Sequence, residues 1–271
     1  MIIASEEALQ KSASSGFKYM RKVLQKNGLL DTIDHAEQGW YNHPNKTELE
    51  EGMMFQLIKG ANIPDTAGLK EEYQINDNVL YANVSAENIQ KVFEKFLGKM
   101  QEDEPLFLFI ETPCSENDEQ KLNNSPQGKE HSIEKFHRDV FYLDGYCREQ
   151  MLMILQSGAG DLLINDGLVC FGFGSMASHI ELGKYKYNVL TGYLNGNDAD
   201  WLTAIFDDLG ITCVSEIITA WQLISKDNPG ESRRYEYKGK DIFTLIDQLK
   251  ELGLYKAETR DEDTGEVVWR A

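Results

Sequence analysis

Apolar residues between positions 78 and 112 are spaced first as in a strand, then as in a helix, and then as in a strand again. Val79–Val84 contains β-branched and aromatic residues, and Ser85 is a good N-cap for a helix that ends near Met100. Leu106–Glu111 is a short apolar run of the kind found in buried strands. A strand–helix–strand unit buries its helix against a sheet, so the chain is constrained to a fold that mixes helices with a sheet.

The second half of the chain repeats this alternation. Leu162–Ile164 and Leu168–Phe173 are predicted to form a hairpin whose turn, 165–167, places Gly167 at positive φ. The C-terminal part is predicted to end in a second hairpin that turns at 263–265. The other elements predicted after residue 136 are strands at Asp139–Leu143, Tyr185–Tyr193 and Ile211–Ile218, and helices at Cys147–Gln156, Asp198–Leu209 and Asp241–Leu252.

These patterns predict an α+β (mixed α/β) fold. The element order of the second half is ferredoxin-like, that is a split βαβ, with one strand added. N-terminal helices precede the sheet, one from Ser5 to Gly28 and one from Thr47 to Gly60. Ser115–Lys135 is polar and is predicted to be a mobile loop or an interdomain linker. We therefore expect an N-terminal lobe at 1–114, a linker at 115–135 and a C-terminal lobe at 136–271.

Acidic residues outnumber basic ones throughout the chain. The sequence has 45 Asp and Glu against 27 Lys and Arg, a formal net charge of −18. Such a charge repels nucleic-acid backbones and attracts cationic partners, so we expect no nucleic-acid partner and a basic protein as the partner. The partner-binding residues are predicted on the outer face of the 198–209 helix and in the C-terminal turn: Asp200, Asp207, Asp208, Asp261, Glu262 and Asp263.

Three further features bear on where the protein acts. No apolar run approaches the roughly 20 residues of a membrane helix, and the N-terminus lacks the pattern of a signal peptide. The four cysteines form no CxxC pair, which favours free thiols in a reducing compartment. We therefore expect a cytoplasmic protein with no membrane partner, whose oligomeric state the sequence leaves open.

Motifs for catalysis or cofactor binding are incomplete. Residues 172–177 match the G-x-G-x-x-A dinucleotide fingerprint, but too few residues follow for the helix that the motif requires. We interpret Gly172 and Gly174 as close-packing glycines and expect no cofactor and no metal. The alternative to a binding module is a hydrolase or nucleotide-handling enzyme, with a site made of dispersed carboxylates and a histidine such as His137.

Four segments carry a resemblance to known proteins. These are 139–142, 160–167, 171–174 and 183–185, within the range 136–260. Here the chain resembles uncharacterised soluble bacterial proteins, some of them similar to the immunity proteins that accompany polymorphic toxins. The resemblance transfers no functional residue. It implies a non-enzymatic protein that neutralises a basic toxin, which agrees with the acidic composition.

Overall fold

The computed structural model of this chain describes residues 6–30, 55–124, 136–194 and 199–271. The helices in these ranges are Glu6–Lys26 (α1), Ala86–Lys99 (α2), Glu116–Asn123 (α3), Arg148–Leu155 (α4), Gly158–Asn165 (α5), Ala199–Asp207 (α6), Ala220–Leu223 (α7) and Ile242–Lys250 (α8). The strands are Ala61–Asn62 (β1), Glu72–Asn76 (β2), Val79–Asn83 (β3), Leu106–Pro113 (β4), His137–Tyr146 (β5), Cys170–Ser175 (β6), Ile180–Lys184 (β7), Val189–Tyr193 (β8), Thr212–Cys213 (β9), Glu231–Ser232 (β10), Tyr255–Asp261 (β11) and Val267–Arg270 (β12). The α+β class predicted from the sequence is confirmed.

One sheet organises the molecule. Its ten strands are ordered β12-β11-β5-β4-β6-β7-β8-β3-β2-β9, and only the β2–β9 pair is parallel. A separate two-stranded ladder joins β1 to β10. Because β12 and β9 end the order, they form the two edges of the large sheet.

The central strand β4 joins the two halves of the chain. It lies between β5 and β6, both antiparallel to it, so β5 and β6 are parallel to each other. The chain passes from β5 through α4 and α5 to β6, which makes a split β–α–β unit around β4. This differs from the two lobes expected from the sequence, because β4 precedes the predicted linker. Most residues of β4 are buried, and an apolar strand in the interior of a sheet needs a neighbour on each side; both neighbours come from the second half.

The helices pack on one face of the sheet and form the main core there. The α2 residues Phe93 and Phe96 are fully buried, and the ring of Phe93 lies 4.9 Å from that of Phe171 and 5.7 Å from that of Phe173. The helix forms where its sequence predicts it, because its apolar residues recur every three or four positions and all face the sheet. Helices α2, α4 and α5 contact one another across this face.

The opposite face is only partly covered. A segment around α7 lies across β2 and β3 at one end of this face: the Asn83 side chain donates to the carbonyl of Ile218 (2.8 Å), and the Ile217 N–H donates to the Gln74 side chain (3.0 Å). A smaller apolar cluster that includes Phe55 and Val189 fills the space beneath. We refer to the rest, over β4, β6 and β7, as the open face.

The predicted hairpin at 162–173 is wrong in its first strand and its turn. Residues 158–165 form α5, because Ser157 caps a helix there and accepts the N–H of Ala159 (3.1 Å). Gly167 does not have a positive φ. It is required for close packing instead, since a Cβ at Gly167 would lie 1.8 Å from the carbonyl oxygen of Gly60. A short apolar run does not distinguish strand from helix by periodicity.

Other predicted elements are confirmed or corrected. The helices predicted at 147–156, 198–209 and 241–252 and the C-terminal hairpin are present. Gly28 and Gly253, predicted to end helices, have φ of 58° and 97°. The predicted strand Tyr185–Tyr193 is interrupted by a turn in which Tyr187 and Asn188 have positive φ, and only Thr212–Cys213 of the strand predicted at 211–218 forms.

The predicted linker is helical in its first half. Ser115 caps α3 and accepts the N–H of Asp118 (3.2 Å). The sequence also missed β2 and β7. The helix predicted from Thr47 to Gly60 is described only over residues 55–60, which are not helical, so this part of the prediction is wrong. The rest of that helix and the predicted N-cap Ser5 lie outside the described residues.

Candidate functional site

The acids predicted on the 198–209 helix differ in how free they are. Asp200 is exposed. Asp207 accepts a hydrogen bond from the Tyr73 hydroxyl (3.0 Å), and Asp208 pairs with Lys95 (3.1 Å). Burial and the Asp207 carboxylate raise the pKa of Tyr73. Asp207 and Asp208 therefore contact neighbouring elements while both residues remain exposed, and their part in partner binding stays a prediction.

The acids predicted in the C-terminal turn differ in the same way. Asp261 is 3% exposed, and its carboxylate accepts the N–H groups of Asp263 (3.1 Å) and Thr264 (2.9 Å), so it shapes the turn. Glu262 pairs with Lys186 (2.7 Å). Burial raises the pKa of Glu262, but Lys186 and a second cation, Arg138, bring that pKa below its ordinary value. Asp263 is exposed at the tip.

The two acidic groups do not form one surface. Helix α6 leads into β9 at one edge of the sheet, whereas the C-terminal turn joins β11 to β12 at the other. Eight strands lie between these two edge strands. A partner that contacts both groups would have to span the full width of the sheet.

The β12 edge carries exposed apolar side chains that the sequence analysis did not select. Val267, Val268 and Trp269 are 41%, 46% and 44% exposed, and the neighbouring Phe136 is 69% exposed. Phe136 adjoins the turn, because its carbonyl accepts the N–H of Glu262 (2.9 Å). We call Phe136, Val267, Val268 and Trp269 the edge patch. Its sequence signal is the Val-Val-Trp run in a predicted hairpin strand, but only the strand order shows that this strand is an edge.

The edge patch lies beside acids without described partners. Asp263 and Glu266 of the turn are exposed, and no ion pair with another described residue involves either carboxylate. On the sheet itself, Arg270 is neutralised by Glu258 (3.1 Å) and Lys256 lies over the Trp269 ring (4.9 Å). The combination is an apolar strand edge with acidic charge at one end.

His137, named in the enzyme alternative, is buried and contacts Glu119. The ring Nδ1 of His137 is 2.8 Å from Oε2 of Glu119, and the backbone N–H of His137 donates to Oε1 of the same carboxylate (2.6 Å). The imidazole is 7% exposed. Nearby, the buried Cys114 thiol donates to Asp139 (3.1 Å), and burial followed by this carboxylate raises the pKa of Cys114. The contact of His137 with Glu119 ties β5 to α3, and the thiol of Cys114, held in its neutral form, is a poor nucleophile.

The glycines of the incomplete dinucleotide motif belong to the sheet. Gly172 and Gly174 lie in β6, where a Cβ would come within 2.4 Å and 2.5 Å of the rings of Phe109 and Phe107. The interpretation of close-packing glycines is confirmed. In the part of the chain that the structure describes, no group of three or more His, Cys, Asp or Glu side chains is placed to hold a metal ion. None of the described helices is both long and apolar enough to cross a membrane.

Comparisons with protein-family models, with curated proteins and with solved structures give no match to this chain. The resemblance to immunity proteins therefore stays a prediction.

Proposed function

We propose that this protein is a non-enzymatic binding module that captures a basic protein, as an immunity protein captures a toxin. We further propose that it does so in the cytoplasm. The free state of all four cysteines supports a reducing compartment. The net charge of −18 supports a cationic partner, because a field of this sign accelerates the encounter with positive proteins.

The edge patch is the observation that carries the proposal. Proteins usually protect sheet edges with charges, prolines, bulges, short strands or covering segments. β12 is only four residues long and has a bulge, yet it still presents Val267, Val268 and Trp269 to solvent. Its occupant in this proposal is an extended, basic segment of the partner. Such a segment would add a strand to β12, place apolar residues on the edge patch and place its cations beside Asp263 and Glu266.

The backbone of β12 identifies which groups would pair with the partner. The N–H of Ala271 points inward and donates to the carbonyl of Ala257 in β11 (2.8 Å). The register between β11 and β12 shifts by one residue here: Thr259 is opposite Trp269 and Arg260 is opposite Val267, so Val268 is the extra residue of a β-bulge. Because the extra residue of a bulge is left out of the ladder, Val268→Pro is expected to remove a backbone donor without removing a regular ladder hydrogen bond to β11.

The test begins with the full chain as bait for basic proteins in an extract of its own source cells. Binding kinetics are then measured with the purified partner. Val268→Pro is expected to weaken binding at least tenfold, whereas the matched Val268→Ala variant, which keeps its N–H, loses far less. Asp263→Lys combined with Glu266→Lys should lower the association rate and its salt dependence. The matched charge control is Glu102→Lys combined with Asp103→Lys, which reverses two exposed acids elsewhere. Unchanged affinity of the Val268→Pro variant, with an unchanged melting temperature, would reject the docking surface.

A further inference from the structure

One row of residues crosses the open face from β4 to β8. Phe107 is opposite Gly174, Gly174 is opposite Glu181, and Glu181 is opposite Tyr193. Directly opposed residues on neighbouring strands point to the same face, with Cβ atoms about 5 Å apart. Phe107, Glu181 and Tyr193 therefore share one surface, and Gly174 contributes no side chain to it.

The missing side chain at Gly174 lets an aromatic ring approach Glu181. A Cβ at this position would lie 2.5 Å from Cζ of Phe107, so the ring lies across β6 towards β7. The ring of Phe109 lies across β6 in the same way in the next row. A Cβ added at Gly172 would be 2.4 Å from this ring, and a Cβ added at Gly183 would be 2.9 Å from it. The floor around Glu181 is therefore aromatic, and the exposed Tyr193 bounds it on the other side.

Glu181 has no partner among the described residues. No hydrogen bond or ion pair joins its half-buried carboxylate to another described side chain, whereas the nearby Glu111 and Glu258 are both paired with Arg260. Burial, followed by the charge of Glu111, raises the pKa of Glu181 to about 7, and Arg260 opposes this rise. The other titratable groups that sense its charge are Tyr142 and Tyr185.

We propose that this part of the open face binds an organic cation, an ammonium or guanidinium group, with Glu181 as counter-ion, the Phe107 ring as part of the floor and the exposed Tyr193 as an aromatic wall. The aromatic face attracts cations, and a bound cation would supply the charge that Glu181 lacks. An anion would meet Glu181 and Glu111 together. A metal ion would need more oxygen or nitrogen ligands than the described side chains bring together here. The site extends from β4 to β8, whereas the edge strand of the edge patch is β12, and it is independent of the function proposed above.

The test uses choline and its uncharged isostere 3,3-dimethylbutan-1-ol, titrated into the full chain while the amide signals of Gly174 and Gly183 are followed by NMR. Choline is expected to bind at least tenfold more tightly than the isostere. Glu181→Gln should abolish that difference, whereas Glu102→Gln, which removes an exposed carboxylate elsewhere, should leave it unchanged. Phe107→Leu should reduce the affinity for choline more than the affinity for the isostere.

A second arm identifies the source of the cation. If the peptide Gly-Lys-Gly, with both ends blocked, binds more tightly than choline, the ligand is a side chain of a protein. If choline binds more tightly, the ligand is a small molecule. Equal binding of choline and the isostere, or the same loss in Glu181→Gln and Glu102→Gln, would overturn the proposal. The proposal would also be overturned if the Gly174 and Gly183 signals did not shift at the highest soluble concentrations of choline and of the peptide.

Discussion

The environment of Glu181 disfavours the ionised form of its side chain. Its pKa is raised from 4.5 to about 7, so the folded protein binds this proton more tightly than the unfolded chain does. Stability from this group is therefore highest below pH 4.5, falls as the pH rises towards 7, and stays low above it. The shift corresponds to roughly 3 kcal/mol at most, and solvent access reduces it.

The Glu181→Gln variant tests this environment. We expect it to raise the free energy of unfolding by about 1–3 kcal/mol at pH 8 and to have little effect at pH 4.5, because only the ionised carboxylate is disfavoured. Urea denaturation at both pH values measures the difference. Glu102→Gln is the control and should change neither value. A destabilised Glu181→Gln protein at pH 8 would mean that the carboxylate has a partner in solution.

Gly174 and Gly98 allow a second comparison at the scale of one residue. Gly174→Ala would place a Cβ 2.5 Å from the Phe107 ring and 2.6 Å from the carbonyl oxygen of Ile180, so we expect a loss of about 1–3 kcal/mol. Gly98→Ala lies in α2 with nothing within 4 Å of its Cβ, and it should stabilise the protein by about 0.5–1 kcal/mol. Chemical denaturation should show that Gly174→Ala lowers the free energy of unfolding and that Gly98→Ala raises it. Equal effects would contradict the close approach of Phe107 to β6.

At the scale of elements, local sequence was sufficient wherever periodicity and capping agreed. Helix α2 has a clear 3.6-residue pattern and α8 has Asp241 as an N-cap, so both are found where the sequence predicts them. Six of the eight residues of helix α5 are buried, and its run Leu162–Ile164 shows no amphipathic pattern. The Asn-Asp-Gly that follows is also a common hairpin turn, so the sequence favoured the wrong element.

Replacement of Ser157 distinguishes the helix from the hairpin. Ser157→Ala removes the acceptor for the Ala159 N–H, and we expect a loss of about 1 kcal/mol in the free energy of unfolding. Ser157→Asn, which keeps a capping oxygen, should retain most of the stability. If residues 158–165 formed a strand, position 157 would cap nothing, and the two variants would unfold alike in thermal melts.

Contacts between distant parts of the chain account for what the sequence could not predict about the candidate surfaces. The six acids selected from the sequence lie in the segments where a helix and a turn were predicted. Four of them, Asp207, Asp208, Asp261 and Glu262, have partners within the molecule. Those partners come from distant parts of the chain, which local patterns do not reveal. The position of β12 at an edge and the row that contains Glu181 likewise follow from strand order, and strand order depends on pairings far apart in sequence.

The shared sheet makes a prediction about cooperativity. Because β4 is hydrogen-bonded to β5 on one side and β6 on the other, neither half of the chain can complete the centre of the sheet alone. We therefore expect one unfolding transition for the full chain, with far-ultraviolet circular dichroism and tyrosine–tryptophan fluorescence changing together.

A fragment of residues 136–271 should fail to fold, since β5 and β6 would each expose an apolar edge where β4 belongs. Adding a fragment of residues 1–114 should restore structure at a midpoint that depends on concentration. Two separated transitions in the full chain, or a folded 136–271 fragment, would instead support two independent lobes.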